Sequence, residues 1–180
     1  MELFEKQISR EVIFEGKVFT VCKDVNELAD GRHAPRELVL HDGGAGILPL
    51  DRDGNVTLVK QYRCGAGKVC LEMCAGKREK GEDPMECAVR ELKEELGFEA
   101  GSVISLGTLI PTPAYDTEVI YIYLATELEN VGACLDDGEF LETVQLPLDK
   151  AVELVMTGEI DDAKTQIALL KAERLVNGKN

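Results

Sequence analysis

Three glutamates set the terms on which this chain can fold: Glu91, Glu94 and Glu95, in the segment GKREKGEDPMECAVRELKEELGF that runs from Gly76 to Phe98. Asp83 to Leu96 reads as a helix, closed by Gly97 where a left-handed residue commonly ends one. At about 100° per residue, with Glu91 at zero, Glu95 falls at about +40° and Glu94 at about −60°. Met85, Ala88, Val89, Leu92 and Leu96 fill the adjoining arc and are expected to face a core. The acids then run along the margin of the buried face, not at its solvent pole. Like charges at i, i+3 and i+4 repel one another and destabilise a helix. Hard divalent cations relieve that repulsion, and clustered carboxylate oxygens are the donors magnesium takes. Glu82 stands at the helix entrance, where the macrodipole favours negative charge. Arg90 lies four residues from both Glu86 and Glu94 and can brace a carboxylate. Taken alone, the pattern favours a solvated acidic face; its surroundings decide otherwise.

The rest of the chain narrows the setting. Its 180 residues fit one domain, or a small domain with an appended element. With 44% hydrophobic and 30% charged residues the composition is that of an ordinary globular protein. A net charge of −14 argues against nucleic acid or an anionic membrane as partner. It would also repel a phosphorylated substrate, unless bound cations reverse the local field. The first residues, MELFEKQISREVIFEG, carry charges throughout and lack the apolar core of a secretory signal, so a cytoplasmic location is expected. The six cysteines, Cys22, Cys64, Cys70, Cys74, Cys87 and Cys134, include no C-x-x-C pair. They are read as small buried hydrophobes, with a metal or redox role for Cys70 and Cys74 the alternative.

Along the chain, Val12, Phe14, Val18, Phe19, Val21 and Val25 give an incomplete strand alternation around a turn at Glu15-Gly16. Asp30-Gly31 marks a second turn, before a strand at Arg36–His41. Strands at Gly46–Leu50 and Val56–Tyr62 flank Asp51-Arg52-Asp53-Gly54-Asn55 and predict a hairpin. Further strands are expected at Lys68–Met73, Val103–Leu109, Glu118–Thr126 and Phe140–Leu146. Pro111 to Asp116 must be loop, because both prolines lack a backbone donor. Helices are predicted at Leu148–Thr157 and Ala163–Val176. Without regular βα alternation, the class is α+β or a mixed sandwich.

The segment from Gly76 resembles the Nudix box: glycine, five residues, Glu, seven residues, then Arg-Glu-apolar-x-Glu-Glu-x-Gly-apolar. Gly76, Glu82, Arg90, Glu91, Leu92, Glu94, Glu95, Gly97 and Phe98 meet every specified position. The resemblance implies a Nudix fold, a mixed β-sheet sandwiched between helices, here with an N-terminal antiparallel strand extension at 1–40 and the hydrolase domain at 41–180. It also implies Mg²⁺ as cofactor, with Mn²⁺ as a substitute. Glu91, Glu94 and Glu95 look like its ligands, joined by the carbonyl of Ala75, and Arg90 and Glu82 look like their partners. Metals there would bridge a pyrophosphate, neutralise it and acidify a water.

Outside the box, Gln61-Tyr62-Arg63 followed by Leu71-Glu72-Met73-Cys74-Ala75-Gly76 is similar to the pattern of ADP-ribose pyrophosphatases. So are Pro113, Arg36-Glu37 before the strand ending at His41, and the tail from Phe140 to Thr165. That likeness implies hydrolysis of ADP-ribose to AMP and ribose 5-phosphate. Arg63 is assigned to the phosphates, since a guanidinium engages two oxygens at once. Arg36 and Tyr115 become further substrate contacts, and Glu72 a residue that ligands or orients near the metals. Glu139 is the expected general base on a late acidic loop, with Glu142 the alternative. Phe14 and Phe19 are assigned to core packing, with stacking on adenine the alternative. Cys74 stands where the family has proline. The likeness further implies, as partners, a nucleoside diphosphate sugar and a second copy in a homodimer that exchanges N-terminal strands. Competing readings are a GDP-mannose or other sugar-nucleotide pyrophosphatase, a Nudix-fold sensor that binds ADP-ribose without cleaving it, and a structural protein with an acidic surface helix.

Overall fold

The computed structural model describes residues 3–135 and 140–178. The chain divides into two compact units, Met1–Gly43 with Ile110–Val119, and Gly44–Leu109 with Ile120–Asn180.

The first unit is an antiparallel sheet of β1 (Lys6–Glu15), β2 (Phe19–Glu27) and β3 (His33–His41), with β2 in the middle. Gly16 closes the first turn by donating to the Phe19 carbonyl at 3.0 Å. Register shifts between Gln7 and Ser9 and between Val12 and Phe14 explain why the alternation in this stretch reads as incomplete. Arg10 and Asp24 form a two-point ion pair across the strands at 2.8 and 2.7 Å. The proline loop lies along β3: Val39 donates to the Tyr115 carbonyl at 2.7 Å and accepts from Thr117 at 3.0 Å. Phe14 and Phe19 do not enter a core. Their rings pack on each other at 6.1 Å, both largely exposed. Phe14 belongs to β1, every residue of which is exposed, and Phe19 is the exposed first residue of β2.

In the second unit β4 (Gly44–Pro49), β5 (Asn55–Arg63), β6 (Lys68–Glu72), β7 (Cys74–Lys77), β8 (Phe98–Leu109), β9 (Ile120–Asn130) and β10 (Leu141–Pro147) form two sheets. Their orders are β10-β5-β6 and β7-β4-β9-β8. β4 and β9 run parallel and every other pairing is antiparallel, so the architecture is mixed. Helices α1 (Pro84–Leu96), α2 (Leu148–Thr157) and α3 (Ala163–Val176) cover it. Every residue of β4 is buried, as expected of a strand with parallel pairing and both faces covered. Successive side chains serve two cores: Ile47, Val59, Tyr123 and Ala125 pack with α1, whereas Leu48, Leu58, Ile122 and Leu124 pack with α2 and α3. The class is therefore α+β, a mixed sheet between helices, with the antiparallel strand extension at its N-terminal end. Among the described residues no helix is long and apolar enough to cross a membrane.

Three local expectations are corrected. The turn at Asp51–Asn55 forms, with Asp51 Oδ1 accepting from Asp53 and Asn55. It does not close a hairpin, because β4 pairs with β7 and β9 while β5 pairs with β6 and β10. A bridge between Leu50 and Val56 joins β4's end to β5's start before the two diverge. Second, β7 was not anticipated; it is four residues long and contains glycine. Third, α1 is rotated from the expected seating. Met85 is exposed and Val89 half-buried, while Cys87 and Glu95 are buried with Ala88, Leu92 and Leu96.

Candidate active site

Sequence fixes both ends of α1. Asp83 caps the start, its Oδ1 accepting from Met85 at 2.8 Å and from Glu86 at 3.3 Å. Pro84 follows in the first turn, where its missing donor is no loss. Gly97 ends the helix at φ 68° and donates to the Lys93 carbonyl at 3.0 Å.

Between these caps Arg90 gathers the acids. Its Nη1 donates to Glu91 Oε1 and to Glu94 Oε2, both at 2.8 Å, and its Nε donates to Glu82 Oε1 at 3.0 Å. The guanidinium beside Glu82 holds that carboxyl down at about 2. Glu82 in turn anchors the preceding loop, accepting from the Glu79 N–H at 2.8 Å, while its own carbonyl accepts from Arg78. Glu91 lies against the backbone of β7: a Cβ placed on Gly76 would meet Glu91 Oε1 at 1.8 Å. The glycine at that position is thus required by the carboxylate's position. Glu95 is set deeper than expected, 5% exposed, next to the buried Cys74. Burial first, and then the charge of Glu95, push the Cys74 thiol well above the usual thiol range. Burial likewise lifts Cys87 to about 12. Both therefore stay protonated. Cys22, Cys70, Cys74 and Cys87 are buried, Cys64 and Cys134 are exposed, and all six are unbridged.

The donor set suits a hard dication. Arg90 contacts the carboxylates of Glu82, in the leading loop, and of Glu91 and Glu94, on α1, where Glu95 also lies. Carboxylate oxygens gathered in this way are the donors that Mg²⁺ takes. Among the described residues no three His, Cys, Asp or Glu side chains converge as a ready cage; Glu91 and Glu94 are bonded to Arg90. Ala75 sits in β7 opposite Gly46 of β4, immediately before the glycine that Glu91 abuts.

A second cluster joins β5, β6 and α3. Arg63 Nε donates to Glu72 Oε1 at 2.7 Å and Nη2 to Oε2 at 3.0 Å. Glu72 is buried, and burial alone would raise its carboxyl. The Arg63 and Lys164 cations outweigh that and leave it below the ordinary range. Lys164 bonds the same Oε2 and reaches Asp162 Oδ1 at 2.9 Å. Sequence reasoning missed Lys164. The readable signal was Asp162, the N-cap of α3, whose Oδ2 accepts from the Thr165 N–H at 2.9 Å.

The remaining expected residues belong to other elements. Arg36 is on β3 in the first unit, where Nε donates to Glu5 Oε2 at 2.9 Å and Nη2 contacts the other carboxylate oxygen. Tyr115 is in the proline loop of that unit, with its side chain exposed. Glu142 is exposed on β10, opposite Lys60 of β5. Glu139 lies outside the described residues.

Comparison with known proteins sets these features in context. A family model described as the NUDIX domain matches residues 40–167. An ADP-ribose pyrophosphatase of Bacillus subtilis (strain 168) is 37% identical over 169 residues, covering 93% of this chain and 91% of that protein. A methanol dehydrogenase activator of Bacillus methanolicus is 38% identical over 168 residues, covering 92% and 90%. A GDP-mannose pyrophosphatase of Citrobacter koseri is 34% identical over 146 residues, covering 74% and 75%. Among solved structures, that of an ADP compounds hydrolase superposes with a TM-score of 0.84 at 25% identity, over 98% of this chain and 96% of that one.

Proposed function

This chain belongs to the NUDIX family, and from that premise we propose that it hydrolyses the pyrophosphate bond of ADP-ribose, giving AMP and ribose 5-phosphate. The observation that carries the reading is the Arg90-held acid cluster, with Glu91 lodged against Gly76. Nudix hydrolases in general depend on a divalent metal, and we take Mg²⁺ as the ion here, with Mn²⁺ as a substitute. Glu91, Glu94, Glu95 and the Ala75 carbonyl would hold it. When bound it supplies charge neutralisation of the diphosphate and acidification of water.

The chain's own residues do the rest. Arg90 keeps Glu91 and Glu94 from repelling each other and fixes their orientation. Arg63 has the forked geometry to take two phosphate oxygens. Glu139, by its place in the sequence, is the general base that removes the proton from the attacking water, and Glu142 is the alternative. Water adds to one phosphorus, the bridging P–O bond breaks, and the leaving phosphate carries away the electron pair. Arg36 and Tyr115, by their likeness to the ADP-ribose pyrophosphatase pattern, are further substrate contacts. The apolar side chains exposed along β1 support a homodimer in which that strand is covered by a second copy.

A second reading, hydrolysis of GDP-mannose, is favoured by the relative of that name. The sensor reading is disfavoured, because every acid of the box is present. The deciding experiment is turnover of ADP-ribose, GDP-mannose, NADH and diadenosine polyphosphates, with and without Mg²⁺. ADP-ribose should be cleaved fastest and only with the ion. Faster GDP-mannose cleavage would exchange the two readings, and no cleavage of any substrate would end both.

A further inference from the structure

We propose that Lys164 is a positioning residue, a standing counter-ion that lets Arg63 exchange Glu72 for a substrate phosphate. The inference rests on the reading of Arg63 as a phosphate clamp and adds how that clamp is released.

Three observations support it. Only 3% of the Glu72 side chain is exposed and 12% of Lys164, against 40% of Arg63. Arg63 is thus the member of the trio with room to move. Next, the two cations are not equivalent partners. Arg63 Nε holds Oε1 at 2.7 Å, while its Nη2 contact to Oε2, at 3.0 Å, is made to an oxygen that Lys164 also binds. Finally, Lys164 is fixed in place. Asp162 holds its ammonium at 2.9 Å and caps α3. The same turn is pinned to the strand by the Met73 N–H, which donates to Thr165 Oγ1 at 2.8 Å, one residue beyond Glu72. A cavity of about 400 Å³ opens beside the trio, lined also by Lys68, Cys70 and Asp161.

A buried carboxylate stripped of its only partner becomes an uncompensated charge, which is strongly unfavourable. With Glu72 as its sole companion, Arg63 would be locked. Lys164 on the shared oxygen changes that balance, because Glu72 keeps a cation when the guanidinium turns away. Arg63 can then present both nitrogens of its fork to a phosphate.

The experiment uses the full chain in Mg²⁺, with the α,β-methylene analogue of ADP-ribose, whose bridge is not hydrolysed, titrated calorimetrically. Arg63 Nε–H exchange is followed in parallel by NMR. Lys164→Met and Lys164→Gln should each bind the analogue about tenfold more weakly, and Arg63 Nε–H should exchange more slowly than in the wild type, because Glu72 now grips it alone. Lys164→Arg should restore both. In an Arg63→Ala background the Lys164 substitution should cause no further loss. A Lys164 that merely staples α3 would instead loosen Arg63, speed exchange and add its loss to that of Arg63→Ala; that result overturns the proposal. Wild-type affinity in Lys164→Met with impaired Arg63→Ala sinks this inference alone. Wild-type affinity in Arg63→Ala sinks the clamp reading with it.

Discussion

At Gly76 the backbone passes so close to Glu91 that an alanine methyl group has no space, its carbon falling 1.8 Å from Oε1. Gly76→Ala should therefore push the carboxylate off its seat. We expect metal affinity to fall about 10- to 100-fold, read by Mn²⁺ titration, with the fold intact by circular dichroism. Unchanged affinity would mean that Glu91's seat is unimportant. Glu82 gives a second test, through pH. The Arg90 hydrogen bond holds it at about 2 against an ordinary 4.5. Its stabilising contribution is complete above the unfolded value and is lost as pH falls from 4.5 toward 2. Glu82→Gln should flatten the fall in Tm across that acid window, and an unaltered slope would place the acid sensitivity elsewhere. These residues were legible in the sequence because they lie on one helix and its leading loop, where spacing dictates neighbours. The Lys164–Glu72 pair, 92 positions apart, and the Arg36–Glu5 pair, 31 apart, are made by tertiary folding and leave no such trace.

At the scale of elements, caps govern how firmly the chemistry is held. Asp83→Ala removes an exposed cap from α1 and should lower stability by about 1 kcal/mol, measured by urea unfolding. Asp162→Ala should do more, nearer 2 kcal/mol or about the top of the capping range. Asp162 serves the Thr165 N–H, the Thr165 hydroxyl and the Lys164 ammonium at once. Equal losses at the two sites would deny α3 its role as an anchor. Helices α2 and α3 begin and end where the pattern put them, since apolar periodicity and Gly158 mark them locally. The supposed hairpin after β4 failed for the opposite reason. Its turn chemistry is genuine, but pairing is chosen by strands far away in sequence, β7 and β9 for β4 and β10 for β5. Strand β7 escaped notice because four residues, one of them glycine, carry too little alternation to read.

For the whole molecule, the N-terminal strand makes the clearest demand. Ile8, Val12, Ile13 and Phe14 are all exposed on β1, an edge that a monomer would leave open to aggregation. In the proposed dimer they are covered. Val12→Lys with Phe14→Lys should convert a dimer to a monomer in light scattering, and a wild-type monomer would refute the assembly. Family membership was legible because the box is contiguous; which side chains of the N-terminal strands stand exposed was not, because exposure appears only once the strands are placed. The alternating strands of the second unit carry a further consequence. Ile47 and Leu48 are neighbours in the chain yet belong to separate cores. The sheet thus acts as a partition wall: the rear rooms, furnished by α2 and α3, can be refitted with other apolar side chains while the front room that houses the acids keeps its arrangement. Volume-conserving drift among the apolar positions of the C-terminal helices should accordingly leave the acids in place, whereas changes at the bolts through the wall, Lys164 and Thr165, should not.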